Sequence, residues 1–269
     1  MTIDSNLQAE LIRVAHLLAN AARPETLTHF RTPGLVAQDK GVQGFDPVTV
    51  ADRAAEQAMR AILKAERPRD AILGEEFGAT SGTSGLTWVL DPIDGTRGYI
   101  SGTPTWGVLI SVADENGPLF GLIDQPFIGE RFAGGFGVAE VAGPMGTQPL
   151  ATLPARALSD AILLSTFPEV GTEAEAKAFH TVAKRAKLTR YGMDCYGYAL
   201  LAAGQVDLVI EAGLNAYDIQ APIAVIHAAG GIVTDWTGNP VHEGGQVLAA
   251  ANLEIHAQAL AILQEAIDG

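Results

Sequence analysis

Trp88-Val89-Leu90-Asp91-Pro92-Ile93-Asp94-Gly95-Thr96 constrains the fold more than any other stretch of the chain. Trp88 to Leu90 is a short, bulky, β-leaning run of the kind that fills a buried strand. Pro92 has no N–H for a sheet ladder, so the strand is expected to stop there, at its carboxyl end. Asp91 and Asp94 are then held on one tight turn, where like charges cannot both stay ionised unless something offsets them. A divalent cation bound through oxygen (Mg²⁺, Ca²⁺ or Mn²⁺) is the natural offset. Chain that passes through Gly95 into a helix at Thr96 presents free N–H groups, which together with the helix dipole suit a phosphate. Metal carboxylates beside a phosphate cradle describe metal-assisted phosphoester hydrolysis.

The charge balance bears on that chemistry. Seventeen Lys and Arg against 31 Asp and Glu leave a formal charge of -14, which disfavours nucleic acid and anionic membrane as partners. A small phosphorylated metabolite would be repelled as well, unless bound cations invert the local field. The 269 residues, 48% of them hydrophobic, are enough for a sizeable core in one large domain or two packed halves. Cys195 is the single cysteine, so no intrachain disulfide forms and a reducing compartment is expected. No apolar stretch approaches the ~20 residues that span a membrane. The segment Met1-Thr2-Ile3-Asp4-Ser5-Asn6 lacks the basic and apolar regions of a signal peptide, and a cytoplasmic location is expected.

Leu7, Leu11, Val14 and Leu18 recur at helical spacing and predict an opening helix that fades near Pro24. Residues 30–47, rich in Gly and Pro, read as a mobile loop. A second helix is predicted from about Thr49 to Glu66, with Pro68 just beyond it. Residues 71–73 read as a short strand, 78–87 as a polar loop, and 129–160 as a mixture of short strands and turns. Farther on, strands at 162–165, 206–210, 232–234 and 247–250 alternate with helices at 173–187, 194–203, 219–229 and 253–267. Such alternation argues for layered α/β or α+β packing. A candidate boundary near residue 145 divides the chain into halves, 1–145 and 146–269, of one compact catalytic unit.

Four segments place acids where loops rather than cores are expected: Asp52, Glu75-Glu76, Asp91/Asp94 and Asp218. Asp52 also completes a capping box, Thr49-Val50-Ala51-Asp52; Asp218 can cap the helix it precedes; Glu75-Glu76 can be a solvated pair. Asp91/Asp94 has no such cheap explanation, because two acids at the end of a buried strand are costly as pure structure. The six histidines are scattered without metal-ligand spacing. Ser165 lacks the context of a nucleophile elbow.

Asp91-Pro92-Ile93-Asp94-Gly95-Thr96 resembles the signature of the inositol monophosphatase-like family of Mg²⁺-dependent, lithium-sensitive phosphatases. Pro47-Val48-Thr49-Val50-Ala51-Asp52, Gly74-Glu75-Glu76 and Ala216-Tyr217-Asp218-Ile219-Gln220-Ala221-Pro222 followed by Ala229-Gly230-Gly231 are similar to its other motifs, in the family's order. Tyr217 departs from the Trp usual before the last aspartate, but keeps an aromatic. The resemblance implies an α+β fold, the layered αβαβα sandwich of the sugar phosphatases, and a homodimer. It implies two or three Mg²⁺ held by Glu75, Asp91, Asp94, Asp218 and the carbonyl of Ile93. Gly95 and Thr96 would cradle the phosphate; Asp52 and Thr96 would orient and deprotonate the attacking water, with Glu76 assisting.

Two further runs, Arg97 to Gly107 and Arg190 to Gly204, resemble the histidinol-phosphate phosphatase branch more than the inositol branch, as does Glu211-Ala212-Gly213-Leu214-Asn215-Ala216-Tyr217-Asp218. Histidinol phosphate carries an ammonium and an imidazole, so its pocket needs acids beyond the metal ligands, and Asp194 and Glu211 can pair with those groups. Asp194 can equally cap the helix that follows it, Glu211 can serve an inositol hydroxyl, and Arg190 is either a substrate contact or a surface residue.

Overall fold

The alternation of strand and helix resolves into five layers in the computed structural model, which describes residues 3–33, 35, 37–39 and 47–268. After helix α1 (Ser5–His29), a short ladder joins β1 (Gln38–Asp39) and β2 (Pro47–Val48), and α2 (Val50–Glu66) follows. The large mixed sheet contains β3 (Ala71–Gly74), β4 (Gly78–Thr80), β5 (Thr87–Asp94), β6 (Gly107–Asp114), β7 (Gly117–Gln125), β8 (Glu130–Gly135), β9 (Val138–Gly143) and β10 (Gly146–Pro149). Its order is β10-β9-β8-β7-β6-β5-β3-β4, and a short helix α3 (Thr96–Ser101) leaves the end of β5. The smaller sheet is built from β11 (Ile162–Ser165), β12 (Leu188–Tyr191), β13 (Leu208–Asn215), β14 (Ile232–Thr234) and β15 (Gly244–Ala250), in the order β12-β11-β13-β15-β14. Helices α4 (Glu173–Ala183), α5 (Asp194–Ala202), α6 (Ala216–Ala228) and α7 (Leu253–Asp268) complete it.

Strand periodicity assigns the layers, because neighbouring residues point to opposite faces of a sheet. On β6, Val108, Ile110 and Val112 pack with Leu11, Leu18, Met59 and Leu63 of α1 and α2. Leu109, between them, faces the other way and joins Ala199, Leu201, Ile219 and Val225 of α5 and α6. The smaller sheet repeats the device: Val209, Val247 and Ala249 reach the same central cluster, while Leu208, Ile210, Leu248 and Ala250 meet Phe179, Val182, Ile255 and Leu263 of α4 and α7. Helix pair, sheet, helix pair, sheet, helix pair is the αβαβα sandwich expected. β5 lies between two such layers, which explains why Trp88-Val89-Leu90 is apolar without alternation.

Several boundaries differ from expectation. α1 does not fade at Pro24 but runs to His29. The missing N–H of Pro24 costs the helix one bond, but Arg23 is anchored to the buried Asp124 and the Thr26 carbonyl accepts the Tyr99 hydroxyl at 2.6 Å, so tertiary contacts hold the last turn. β5 does not stop at Pro92: Asp91 pairs with Leu109 and Asp94 with Gly107, leaving one extra residue on β5, a bulge in which a proline is tolerated. Part of the polar 78–87 segment is β4, and 129–160 supplies the antiparallel strands β8 to β10. α4 ends at Ala183 rather than Lys187, because Leu188–Tyr191 becomes β12, a parallel edge strand beside β11. β13 extends to Asn215 and α6 begins at Ala216, earlier than expected. Much of the 30–47 segment lies outside the described residues; the described part includes β1 and the start of β2. Residue 145 falls in the turn between β9 and β10.

Candidate active site

The acids singled out in the sequence come from distant elements that end at one place. β3 and β5 pair in parallel with Gly74 opposite Leu90, and the Glu75 N–H donates to the Leu90 carbonyl at 3.2 Å. The next residues along the chain, Glu75 and Asp91, are thereby side by side, and the Glu75 carboxyl is near enough to push up that of Asp91. The bulge at Pro92 brings Asp94 back toward Asp91, and the start of α6 contributes Asp218. Carboxylate oxygens of Asp91, Asp94 and Asp218 all lie within 4.8 Å of one another.

Such a cluster is unstable as three bare anions. Burial, then Glu75 and the neighbouring aspartates, push the Asp91 carboxyl well above the usual carboxylate range. Asp94 is pushed well above it too, by burial first, then Asp218 and Asp194. A hard divalent cation relieves both effects, and an all-oxygen donor set suits Mg²⁺, Ca²⁺ or Mn²⁺ rather than zinc. The residues present therefore fit a metal.

The alternative readings of Asp52 and Asp218 prove to be compatible with the site. Asp52 completes the capping box of α2: its Oδ2 accepts the Thr49 N–H at 2.8 Å and the Thr49 hydroxyl at 2.6 Å. Its Oδ1 lies 3.4 Å from the Thr96 hydroxyl, which is also 3.1 Å from the Ile93 carbonyl. Asp218 Oδ2 accepts the Asn215 N–H at 2.6 Å as the third residue of α6. In both cases the capping bond fixes the carboxylate, that of Asp218 at the cluster and that of Asp52 beside Thr96. Glu76 is placed differently, its carboxylate almost wholly buried and 3.8 Å from Arg53 Nε.

Gly95 starts α3 with φ of 85°, a left-handed conformation that favours glycine. A Cβ there would come within 2.6 Å of Asp194 Cγ. Asp194 itself has φ of 47°, a conformation that Asp and Asn adopt more readily than other side chains. It is the first residue of α5; Thr105 donates its hydroxyl to Asp194 Oδ2 at 2.7 Å, and the next N–H, of Cys195, donates to Asp94 Oδ2 at 2.6 Å. Burial raises the Asp194 pKa, and the Thr105 bond opposes that shift.

These groups border a cavity of about 560 Å³ whose lining includes Asp94, Gly95, Thr96, Asp194, Glu211 and Asp218. Glu211 accepts the Thr166 N–H and the Tyr198 hydroxyl, each at 2.8 Å. Its pKa is raised by burial, against the pull of those two donors. At the mouth, the Arg97 guanidinium lies 4.9 Å over the half-exposed ring of Phe167. Arg190 is exposed on β12 and does not line this cavity. Thr105 and Tyr198 lie in the two runs that carry the branch resemblance but are given no role there, and Thr166 escapes the sequence reading. Each is an ordinary polar or aromatic residue outside the acidic motifs, and only the tertiary fold reveals its partner.

Comparison with known proteins agrees with this geometry. The profile of the inositol monophosphatase family matches residues 7–268. The bifunctional phosphatase IMPL2, chloroplastic, of Arabidopsis thaliana is 40% identical over 263 residues, covering 93% of this chain and 74% of the relative. A histidinol-phosphatase of Streptomyces coelicolor is 34% identical, covering 94% of this chain and 97% of its own. A solved inositol monophosphatase from Zymomonas mobilis superposes with a TM-score of 0.82 at 38% identity, covering 94% of this chain and 97% of that one. The chain belongs to the inositol monophosphatase family. It is a phosphoric monoester hydrolase, with a phosphorylated small molecule as substrate and an acidic cluster able to bind the metal on which this family depends. No described helix is long and apolar enough to cross a membrane.

Proposed function

We propose that the chain is a Mg²⁺-dependent histidinol-phosphate phosphatase, converting L-histidinol phosphate and water to L-histidinol and phosphate in histidine biosynthesis. The observation that carries this reading is that Asp194 and Glu211 line the same cavity as Asp94 and Asp218. Two acids beyond the metal-binding cluster suit a substrate that bears an ammonium and an imidazole. The kinship with a histidinol-phosphatase supports it.

Glu75, Asp91, Asp94, Asp218 and the Ile93 carbonyl would hold two or three Mg²⁺. When bound, the cations supply Lewis-acid charge that neutralises the phosphoryl oxygens, acidifies water and stabilises the leaving oxygen. Gly95 and Thr96 offer backbone N–H groups to the phosphate. The Thr96 hydroxyl has one proton and two acceptors in reach, Ile93 O and Asp52 Oδ1. Donating to Asp52 leaves its oxygen as an acceptor for water, and Asp52 then receives the proton. Glu76, its carboxylate 3.8 Å from Arg53 Nε, would assist nearby. Asp194 and Glu211 orient the cationic end of the substrate. The unit works as a lithium-sensitive homodimer in the cytoplasm, each chain's halves, 1–145 and 146–269, forming one site.

Phosphate release from histidinol phosphate and from inositol 1-phosphate tests the proposal. Faster turnover of inositol 1-phosphate, with negligible cleavage of histidinol phosphate, would overturn the branch. The competing activity, inositol-1-phosphate or broad small-alcohol phosphate hydrolysis, is favoured by the kinship with the Zymomonas mobilis inositol monophosphatase.

A further inference from the structure

Glu56 is wholly buried on α2, one helical turn after Asp52 and on the same face. It belongs to none of the acidic motifs. Its Oε2 accepts the Glu76 N–H at 2.7 Å and its Oε1 the Phe77 N–H at 3.3 Å. Arg60, one turn farther on, donates from Nε to Glu56 Oε1 at 2.7 Å, and its other nitrogens reach the Thr80 hydroxyl and the Gly78 carbonyl. The pair therefore clasps both ends of the turn between β3 and β4, the turn that carries Glu75. It fills the space beside Gly74, where an added Cβ would overlap Glu56 Oε1 and Cδ and approach Arg60.

A buried ion pair is a poor device for stability alone, since well-packed apolar side chains of similar volume often do as well or better. What this pair supplies is direction. Two N–H groups bound by one carboxylate fix the backbone of the turn immediately after Glu75, and partners of ligands are what orient a metal site.

We propose that Glu56 is a positioning residue for the metal site: by gripping the Glu76 and Phe77 N–H groups it holds the Glu75 carboxyl against Asp91. α2 then serves as one rigid ruler, with Asp52 at the water-activating side and Glu56 at the metal-binding side. The inference rests on the reading of Glu75, Asp91, Asp94 and Asp218 as metal ligands.

The test is Mg²⁺ binding to the purified full chain by calorimetry, with Mg²⁺-dependent phosphate release as a second readout. Glu56→Gln removes the charge that meets Arg60 and turns one acceptor into a donor facing an N–H. Mg²⁺ affinity is expected to fall by ~10–100-fold, the half-saturating Mg²⁺ for activity to rise by the same factor, and KM for substrate at saturating Mg²⁺ to stay unchanged. Glu56→Asp, which keeps the charge, is expected to retain part of the affinity. If Glu56→Gln fails to fold, Gly74→Ala displaces the same carboxylate without removing it and is expected to weaken Mg²⁺ binding likewise. A variant that melts lower without metal yet binds Mg²⁺ as the wild type does overturns the inference, since that is the mark of a purely structural residue. If Asp94→Asn also binds Mg²⁺ as the wild type does, the ligand assignment itself fails, and the inference with it.

Discussion

Replacing Asp94 by Asn should make the metal-free protein more stable and the metal-loaded protein less so. The oxygens of Asp91, Asp94 and Asp218 lie within 4.8 Å, where two unit charges repel by about 3.5 kcal/mol at an effective dielectric of about 20. Removing the Asp94 charge deletes two such repulsions. The wild type already escapes part of that cost by taking up a proton, which is what the raised pKa of Asp91 and Asp94 means. A net gain of ~2 kcal/mol is the remainder, equivalent to a rise in Tm of ~3–5 °C for a chain of this size. Asn can still accept the Cys195 N–H that now meets Asp94 Oδ2, so packing at the start of α5 is preserved. In excess Mg²⁺ the order reverses: ligand at ~100 times its Kd adds ~2.7 kcal/mol to a chain that binds it, and the variant forgoes most of that. Thermal melts in EDTA and in saturating Mg²⁺ measure both effects, and phosphate release should be nearly abolished in the variant. A variant that melts below the wild type in EDTA, or that keeps the full Mg²⁺-induced rise, would refute the reasoning.

Other outcomes follow from the same geometry. Asp91 and Asp94 are raised above the ~3.9 of an unfolded aspartate, so in that window the folded chain binds more protons than the unfolded one. Their contribution then makes metal-free stability fall as pH rises, while Mg²⁺ affinity climbs because the ligands must be deprotonated. Melts across pH should show a shallower metal-free decline in Asp91→Asn than in the wild type; an identical slope would contradict the assignment. Asp194→Asn suits the left-handed backbone at that position and, like Glu211→Gln, removes one charge-assisted contact of ~1.5–3 kcal/mol. KM for histidinol phosphate should rise ~10–100-fold with a smaller change for inositol 1-phosphate, and an equal effect on both substrates would argue against a cation subsite. Gly95→Ala forces a side chain into φ of 85° and toward Asp194. The left-handed penalty lowers fold stability by ~1–2 kcal/mol, and the displaced phosphate cradle lowers phosphate release in saturating Mg²⁺; a melt and an activity both equal to wild type would show that the position tolerates a Cβ.

What could be read from the sequence, and what could not, divides along a physical line. Period gave the layers: Leu11, Val14 and Leu18 at helical spacing do form the buried stripe of α1, and the unbroken Trp88-Val89-Leu90 does run between two helical layers. Motif gave the acids, because Asp91, Asp94 and Asp218 sit at strand and helix ends where carboxylates are otherwise costly. The local rules failed at Pro24, where contacts of Arg23 and Thr26 with residues far along the chain outweigh a missing N–H. They also failed at Glu56, which reads as one polar residue among many on an amphipathic helix until the turn it grips is in view.

The most telling failure is at Pro92. A proline is expected to end the strand, yet β5 continues through it as a bulge, and the extra residue is what turns Asp94 back toward Asp91 instead of leaving the two, three residues apart, on opposite faces of the sheet. Gly95 and Asp194, both at positive φ, lie against each other beside it. Three departures from regular backbone thus converge on one cavity, while the strands and helices that carry them obey periodicity. Departures of this kind are kept where function repays their cost. In this chain they mark the place where metal, phosphate and substrate cation would have to meet.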